Sequence, residues 1–250
     1  MAERGKSEYS QSVTNALRLL GCFVDREERG ISELSRELGL SKSAVARIVA
    51  SLEDGRLLMQ NPETGKYRLG TGFLLYGSLV RERNELSRAL APALAQLAEE
   101  YQSTAHLAVL DGGELTIVNK VSAGPFVYMS SRVGGTLPIH ASATGKCILA
   151  WLPPERRREL IENAELRRYT ATTITDPDAL ETELAAIRER GYALDDGETH
   201  EGLFCVGCPV LDASGRVAAA VSVSGSRAAL EPRLSEVVVS IRDELKNYGI

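Results

Sequence analysis

Long apolar runs are missing from the sequence, and cysteine and tryptophan are scarce. Among 250 residues there are four cysteines and one tryptophan. No apolar run approaches the roughly 20 residues that a membrane-spanning helix needs. The first twenty residues lack the order of a signal peptide, and four scattered cysteines do not form a disulfide framework. We therefore expect a cytoplasmic protein that does not use a membrane.

A surplus of positive charge is also missing. The chain carries 29 Lys and Arg against 34 Asp and Glu, a net charge of −5. Residues 1–75 hold eleven basic and ten acidic side chains, however, and the remainder holds eighteen and twenty-four. The acidity lies in the C-terminal part, and a module beyond a Debye length of about 10 Å would feel little of it. Net charge therefore does not exclude DNA binding by the N-terminal part.

After an arm of residues 1–8 that we expect to be flexible, residues 9–74 show the pattern of three helices and a hairpin. Helical spacing relates the apolar residues Val13, Ala16, Leu17, Leu20 and Val24. A short second helix ends at Gly39, and Ser41 can cap a third. The buried face of the third helix is predicted to carry Val45, Ile48, Val49 and Leu52. Strand-like Leu57–Gln60 and Lys66–Leu69 flank a turn-rich tip. This order predicts a winged helix-turn-helix.

The third helix has the composition of a DNA-contacting helix. Its exposed start holds Ser41, Lys42 and Ser43, and Arg47 follows one turn later. Recognition helices enter the major groove by their N-terminal residues, and an arginine fork can bind guanine bidentately. We expect Lys66 and Arg68 on the wing, with Arg4 and Lys6 of the arm, to contact the phosphate backbone. The alternative is a winged helix that serves as a protein-interaction module.

Residues 75–101 are predicted to form a linker helix. An apolar stripe on it contains Leu86, Leu90, Leu94, Leu97 and Tyr101. Pro92 predicts a kink or a restart. Such a helix packs on its own C-terminal domain or pairs with a copy from another subunit. We favour a contribution to dimerisation, because one winged helix covers only half of a typical operator.

Residues 102–250 alternate between hairpins and helices. The predicted strands are 105–110, 114–121, 127–131, 192–196, 204–211 and 217–224, and the predicted helices are 142–152, 154–163, 178–190 and 227–247. Asp111-Gly112-Gly113 and Asp212-Ala213-Ser214-Gly215 are hairpin turns. Hairpins at both ends with helices between them predict an α+β domain, an antiparallel sheet covered by helices.

Three segments carry a family pattern along nearly the whole chain: SELSRELGLSKSAVARIVASLEDGRLL, GGTLPIHASATGKCILA and GYALDDGETHEGLFCVGCPVLDASG. They resemble the IclR family of bacterial transcriptional regulators. The signature positions of the third segment are Gly191, Asp195, Glu198, Cys205, Gly207, Val210 and Asp212. One position departs, since Leu211 stands where the signature usually has an aromatic residue or histidine.

The resemblance implies a profilin-like or GAF-like effector domain, a small organic ligand, and assembly as a dimer or a dimer of dimers. Carried over by position, the residues that line the pocket are Ser142, Ala143, Thr144, Asp195, Cys205, Ser222 and Ser224. Members of the family differ in their ligands and in whether they repress or activate, so neither follows for this chain.

The same residues suggest a carboxylate ligand by their own chemistry. Ser142-Ala143-Thr144 begins a helix, whose free N–H groups and dipole attract anions. Ser222 and Ser224 alternate along a strand and therefore share a face. Asp195 can accept a ligand hydroxyl. Candidates for the apolar wall are Phe126, Met129 and Leu137. The alternative is that Ser142 only caps its helix and that both strand serines bond to neighbouring backbone.

Other chemistries fit the sequence less well, and we expect no enzyme activity, cofactor or metal. Cys205 and Cys208 would lie on opposite faces of a strand, and structural zinc usually needs four ligands. Gly145-Lys146 lacks the preceding glycine of a phosphate loop, since that position is His140. A hydrolase pairing of Cys147 with His140 or His106 is disfavoured, because Cys147 falls inside a helix. A redox-sensing thiol at Cys205 or Cys147 stays an open alternative.

Overall fold

The computed structural model describes residues 9–124 and 131–248, and the chain divides into two compact units between Arg83 and Asn84. Several predictions fall outside the described residues: the arm with Arg4 and Lys6, the wall residues Phe126 and Met129, and most of the strand at 127–131. Within the described residues, no helix is long and apolar enough to cross a membrane.

The N-terminal unit is a winged helix-turn-helix, as predicted. Its elements are α1 (Gln11–Gly21), α2 (Ile31–Leu38), α3 (Lys42–Asp54), β1 (Leu58–Gln60), β2 (Tyr67–Leu69) and α4 (Gly72–Arg83). Gly39 ends α2 with φ of 69°, a left-handed conformation that glycine adopts without a steric penalty. The Ser41 hydroxyl accepts a hydrogen bond from the Ala44 N–H and so caps α3. Strands β1 and β2 pair antiparallel as the wing.

The core of this unit follows the prediction for α3 but not the stripe on α1. Val45, Val49 and Leu52 are buried. On α1, however, Leu19 faces the core, whereas Val13 is 57% and Leu17 is 65% exposed. The helical period alone does not tell which neighbour an apolar face packs against.

The predicted linker helix is two helices, α4 and α5 (Glu85–Tyr101). The break lies at Asn84 because its side chain accepts a hydrogen bond from the Ser87 N–H and caps α5. Pro92 lies inside α5. The apolar stripe, including Leu90, Leu94 and Leu97, is buried against the sheet of its own domain. That stripe is thus not available for pairing with a copy.

The C-terminal unit is the predicted α+β domain. After α5 come β3 (Thr104–Asp111), β4 (Glu114–Ser122), β5 (Thr136–Leu137), α6 (Ala143–Trp151), α7 (Pro154–Asn163), α8 (Pro177–Arg190), β6 (Ala193–Asp196), β7 (Leu203–Leu211), β8 (Val217–Ser226), α9 (Arg227–Leu230), a 3-10 helix (Glu231–Arg233) and α10 (Leu234–Asn247). The helix predicted at 227–247 is interrupted at Pro232, which lacks a backbone N–H.

One antiparallel sheet organises the unit, with strand order β5-β4-β3-β8-β7-β6. Helices α5 and α10 bury one face, through side chains such as Leu94 and Ile241. Helices α6, α7 and α8 cover part of the other face, where Cys147 and Leu184 are buried. The part of this second face below the start of α6 is polar and forms the candidate site.

Candidate DNA-binding surface and effector site

The start of α3 presents the predicted DNA contacts to solvent. Ser41, Lys42, Ser43 and Arg47 are all exposed. The Ser41 hydroxyl is already engaged, since it caps the helix and shares a hydrogen bond with the Ser43 hydroxyl at 3.1 Å. Lys42 and Arg47 are therefore the cations that this helix offers to nucleic acid.

The wing uses its two basic residues differently. Nζ of Lys66 pairs with Glu33 Oε1 of α2 at 3.3 Å, and its side chain is 44% exposed. Arg68 is exposed, with Nη2 3.6 Å from Met59 Sδ. The wing tip is anchored by Glu28, which accepts hydrogen bonds from Asn61 and Thr64 and whose pKa these bonds lower. Arg68 is consequently the freer wing cation, and Lys66 has a partly structural role.

Helix α6 begins directly on the sheet, because β7 has a glycine beneath it. A Cβ at Gly207 would lie 3.1 Å from the backbone of Ala143. The Cys147 thiol donates to the Gly207 carbonyl at 3.1 Å, one turn further along α6. Gly145 permits a second close approach, since a Cβ there would lie 2.3 Å from the Ile139 oxygen. Gly207 thus lets the N-terminus of α6 lie against β7, and Gly145 lets Ile139 lie against the same turn of the helix.

Two rows of side chains cross the sheet face below α6. Directly paired residues of antiparallel strands share a face. The first, here called the Cys205 row, runs Asp195, Cys205, Ser224, Thr104 and Ser122. The second, the Gly207 row, runs Ala193, Gly207, Ser222, His106 and Lys120. Apart from exposed Ser122 and half-buried Lys120 at one end, the two rows form a buried floor that is mostly polar.

The hydroxyls around the start of α6 fall into two groups. Ser142 is fully used, because it donates to the Pro138 oxygen at 2.7 Å and accepts from the Gly145 N–H. Ser142 is thus a helix cap, which was the alternative role. Thr144 Oγ1 is buried without a hydrogen-bond partner among the described residues. Among the described residues, the Ser222 hydroxyl and the backbone N–H groups of Ala143 and Thr144 also have no hydrogen-bond partner. These groups retain hydrogen-bonding capacity for a ligand.

Asp195 is held by its own turn. Its carboxylate accepts hydrogen bonds from the Glu198 N–H at 2.8 Å and from the Thr199 N–H and hydroxyl. Burial raises the pKa of Asp195, and these hydrogen bonds oppose the rise. The carboxylate therefore stabilises the turn after β6 and lies at one end of the Cys205 row. Because most of its hydrogen-bonding capacity is already used, it can accept fewer hydrogen bonds from a ligand than the sequence suggested.

Lys146 and Glu198 form a buried ion pair that the sequence analysis did not assign to the site. Lys146 is 1% and Glu198 6% exposed, and Lys146 Nζ donates to Glu198 Oε1. Glu198 Oε2 has no hydrogen-bond partner among the described residues. Burial raises the Glu198 pKa to about 7, with Lys146 opposing and Asp195 adding to the rise. The pair links α6 to the turn that Asp195 holds.

The four cysteines are buried and free. Cys205 lies in the polar floor, while Cys208 lies on the opposite face in the core with α5 and α10. Burial raises the pKa of the Cys147 and Cys205 thiols well above the usual value and that of Cys208 to about 12. Protonated thiols are poor nucleophiles, so this environment disfavours redox sensing. Residues 9–124 and 131–248 hold no cluster of side chains suited to a metal ion.

Leu137 is the one described pocket candidate that the fold separates from the others. It lies on the edge strand β5, paired with Leu115, and contributes to a surface cavity of about 290 Å³ that Tyr169 also lines. Its distance from Ser222 follows from the strand order, since β5 is three strands from β8. Met129, the other apolar candidate, lies outside the described residues.

His106, Lys120, Lys146 and Glu198 are the residues of this region that the sequence analysis did not place in the pocket. Glu198 had a signal, because it belongs to the family signature, and Lys146 lies two residues after Thr144 in the second family segment. His106 and Lys120 had none. Their place in the floor depends on the pairing of β3 with β4 and β8, and β3 and β8 are more than a hundred residues apart.

Comparison with known proteins agrees with this two-unit architecture. Residues 12–62 match the family model described as the IclR helix-turn-helix domain. Residues 79–246 match the one described as the C-terminal domain of the bacterial transcriptional regulator IclR. The HTH-type transcriptional regulator XynR of Escherichia coli is 34% identical over 242 residues, which are 96% of this chain and 94% of that protein.

Solved structures show the same fold. The IclR structure from Thermotoga maritima matches with a TM-score of 0.79 and 29% identity, covering 95% of this chain and 96% of that one. An IclR homologue from Microbacterium hydrocarbonoxydans, crystallised with 4-hydroxybenzoate, matches with a TM-score of 0.78 and 29% identity over 94% of this chain and 99% of that one. The curated relatives are transcriptional regulators and not enzymes, in agreement with the sequence analysis. The chain belongs to the IclR family of bacterial transcriptional regulators, with an N-terminal helix-turn-helix DNA-binding domain and a C-terminal effector-binding domain.

Proposed function

We propose that the chain is a dimeric regulator whose operator affinity is set by a small organic carboxylate bound between α6 and the polar floor. The single observation that carries the proposal is the start of α6. There, the Thr144 hydroxyl and the amides of Ala143 and Thr144, which have no hydrogen-bond partner among the described residues, lie at a helix N-terminus that rests on Gly207. A carboxylate satisfies these donors and interacts favourably with the helix dipole.

The floor supplies the second half of the carboxylate site. Ser222 neighbours Gly207 in its row, so its hydroxyl lies beside the residue on which α6 rests. Ser224 is in the adjacent row, where its hydroxyl contacts the Cys205 thiol. The 4-hydroxybenzoate found in the Microbacterium homologue is a carboxylate, which supports the same ligand class for this chain.

On DNA, we propose that each α3 enters a major groove with Lys42, Ser43 and Arg47 foremost. Arg47 contacts a base edge, while Lys42 and Arg68 contact phosphates, and Ser41 and Lys66 mainly support the helix and the wing. The exposure of Lys42, Arg47 and Arg68 supports these roles. Half to two-thirds of protein–DNA hydrogen bonds go to phosphate and sugar, so only a minority of these contacts specifies sequence.

Dimerisation is supported by apolar surface on the N-terminal unit. Val13 and Leu17 of α1 are exposed, and so are Leu74 and Val80 of α4, at 72% and 69%. Exposed apolar side chains in such number mark an interaction surface. Two copies would also provide the two half-sites of a pseudo-palindromic operator.

The regulatory step is a difference in affinity. A carboxylate that binds one arrangement of the dimer more tightly than another shifts the population toward it and thereby changes operator affinity. A ligand that binds both arrangements equally would change nothing.

The experiment is a fluorescence anisotropy titration of the full chain against DNA from upstream of its own gene, with and without a panel of carboxylates. We expect tight binding to one fragment, a steep loss of affinity with salt, and a shift in affinity with at least one carboxylate. The double variant Ser222→Ala, Ser224→Ala should bind the operator normally but lose that shift. A double variant that responds like the wild type would overturn the pocket assignment.

A further inference from the structure

The Gly207 row does not end at Ser222. His106 lies directly opposite Ser222 on β3, and Lys120 lies opposite His106 on β4. The row therefore runs from the glycine under the start of α6, through a hydroxyl and an imidazole, to an ammonium group. Neither the family signature nor the pocket assignment carried over by position includes His106 or Lys120.

His106 is buried as an uncharged imidazole that can form hydrogen bonds. It is 1% exposed, and burial, with Lys120 adding, lowers its pKa to about 3. Nε2 shares a hydrogen bond with the Ser131 hydroxyl at 3.0 Å. Among the described residues, Nδ1 has no hydrogen-bond partner. A neutral imidazole has one donor and one acceptor nitrogen, so Nδ1 suits a hydroxyl or carbonyl and not an anion that needs an ion pair.

Lys120 supports this environment without competing for the same role. Its Nζ donates to the Ser131 carbonyl at 2.7 Å, so its charge lies beside the partner of His106. Ser131 thus joins His106 to Lys120 and fixes the edge of the floor. Since Nδ1 of His106 has no hydrogen-bond partner among the described residues, this nitrogen can serve a ligand bound over the row.

The geometry points to His106 as a specificity-determining residue, which accepts or donates a hydrogen bond to a second, uncharged polar group on the effector. This inference rests on the carboxylate site proposed above. Neighbouring strands lie roughly 5 Å apart, so His106 is roughly 10 Å across the sheet from Gly207. An acid of two or three carbons is too short to reach both the start of α6 and His106. The preferred class is a ring-sized acid with a hydroxyl or carbonyl remote from its carboxylate.

The test is calorimetric titration of the full chain with matched acids that differ in one hydroxyl. The pairs are benzoate with 4-hydroxybenzoate and cyclohexanecarboxylate with 4-hydroxycyclohexanecarboxylate, and butyrate and hexanoate serve as plain acids. In the wild type, we expect the hydroxyl to tighten binding about tenfold in at least one pair, the effect of one good hydrogen bond. In the His106→Leu variant, the difference in affinity between the hydroxylated acid and the plain acid should fall to about twofold or less.

Two further variants separate recognition from a merely structural role. His106→Asn places an amide near the position of Nδ1 and should retain part of this difference in affinity. Ser131→Ala removes the partner of Nε2 but keeps the imidazole, and should retain most of it. All variants should bind operator DNA as the wild type does, which shows that they fold.

The outcomes distinguish the two proposals. If ring acids bind but the hydroxyl has no effect, or its effect survives in His106→Leu, the role of His106 is overturned and the carboxylate site stands. If only butyrate or hexanoate binds, the role of His106 is likewise overturned. If no acid binds, the carboxylate site falls and the role of His106 falls with it.

Discussion

Glu198 and Lys146 show how one buried pair can connect a helix, a turn and a binding floor. Lys146 reaches Glu198 from α6, and Glu198 follows the strand that carries Asp195. Thr170 and Thr173 also donate to the Glu198 carbonyl, which joins a further loop to the same turn. Breaking a buried ion pair by removing one partner typically costs about 3–5 kcal/mol, because the other charge is left unpaired. The family signature at Glu198 thus has a structural reason.

The raised pKa of Glu198 predicts a pH dependence of stability. Its pKa is about 7 in the folded chain, against an ordinary value of 4.5. Between these values the folded state keeps a proton that the unfolded state has released, so stability is lost as pH rises from 4.5 to 7. We expect this carboxyl to account for a loss of about 1–3 kcal/mol. Urea unfolding across that pH range measures the loss.

The matched control for this prediction is Glu198→Gln, which keeps the shape of the side chain and cannot titrate. Asp195 has its pKa shifted in the same direction and is present in both proteins. The difference in unfolding free energy between wild type and variant should therefore change with pH in this window. A difference that stays constant from pH 4.5 to 7.5 would contradict the assignment.

Arg47 is the residue on which base recognition is predicted to depend. It is exposed on α3, one turn after the capped start of the helix. Arg47→Ala should cost about 1–3 kcal/mol at the cognate operator and much less on random DNA. Anisotropy titrations on both DNAs measure this. Arg68→Ala is the control, since a phosphate contact weakens binding to both DNAs alike, and an equal loss from Arg47→Ala would make Arg47 a phosphate contact as well.

At the scale of elements, the approach of α6 to β7 decides whether a site exists. Gly207 permits this approach, because an added Cβ would meet the backbone of Ala143, whereas Gly145 permits the close approach of Ile139 to the same helix. The sequence identifies Gly207 as a signature position, but it does not show why a glycine is needed there. A close approach between a helix and a strand 60 residues apart in sequence is a property of tertiary packing.

We predict that substitutions at Gly207 act in proportion to side-chain size. Gly207→Ala should cost about 1 kcal/mol and Gly207→Val about 2–3 kcal/mol, because overpacking forces α6 away from the sheet. Gly207→Val should also lose the response to carboxylates. Urea unfolding and the anisotropy assay measure the two effects. Ala218→Val is the control: Ala218 is exposed on β8, so added bulk there should leave both properties nearly unchanged. A Gly207→Val protein as stable and responsive as wild type would show that α6 is not held there.

At the scale of the whole molecule, the predicted dimer depends on apolar surface of the N-terminal unit. The stripe on α5 is buried in its own domain, whereas α1 and α4 carry exposed apolar side chains. A dimer that hides these side chains would recover roughly 25 cal/mol for each Å² of apolar surface removed from water. We therefore propose that the contribution to dimerisation that the sequence attributed to the α5 stripe comes from α1 and α4.

The dimer prediction is tested by removing this surface. Leu17→Ser with Val80→Ser should shift sedimentation velocity from dimer to monomer at micromolar concentration and lower operator affinity by at least tenfold, since a monomer holds one half-site. Val239→Ser is the control, because Val239 is 55% exposed on α10 of the other unit. A dimer that persists in the double variant would place the interface elsewhere.

The sequence by itself determined the local structure and the family. The winged helix, its caps at Ser41 and Gly39, and most strands of the sheet follow from hydrophobic period, capping residues and turn residues, which act over a few neighbours along the chain. The signature segment also marks Asp195, Cys205 and Gly207 as family positions without any knowledge of tertiary contacts.

Tertiary structure decided what these residues face. Only strand register brings His106 beside Ser222, and only packing between distant segments pairs Lys146 with Glu198 and leaves Thr144 Oγ1 without a hydrogen-bond partner among the described residues. The outward stripe on α1 was decided in the same way, whereas the break at Asn84 comes from a local helix cap. The hydrophobic pattern of a segment shows which of its side chains are apolar and which are polar. What each side chain contacts depends on segments far apart in the chain, and a local pattern does not contain that information.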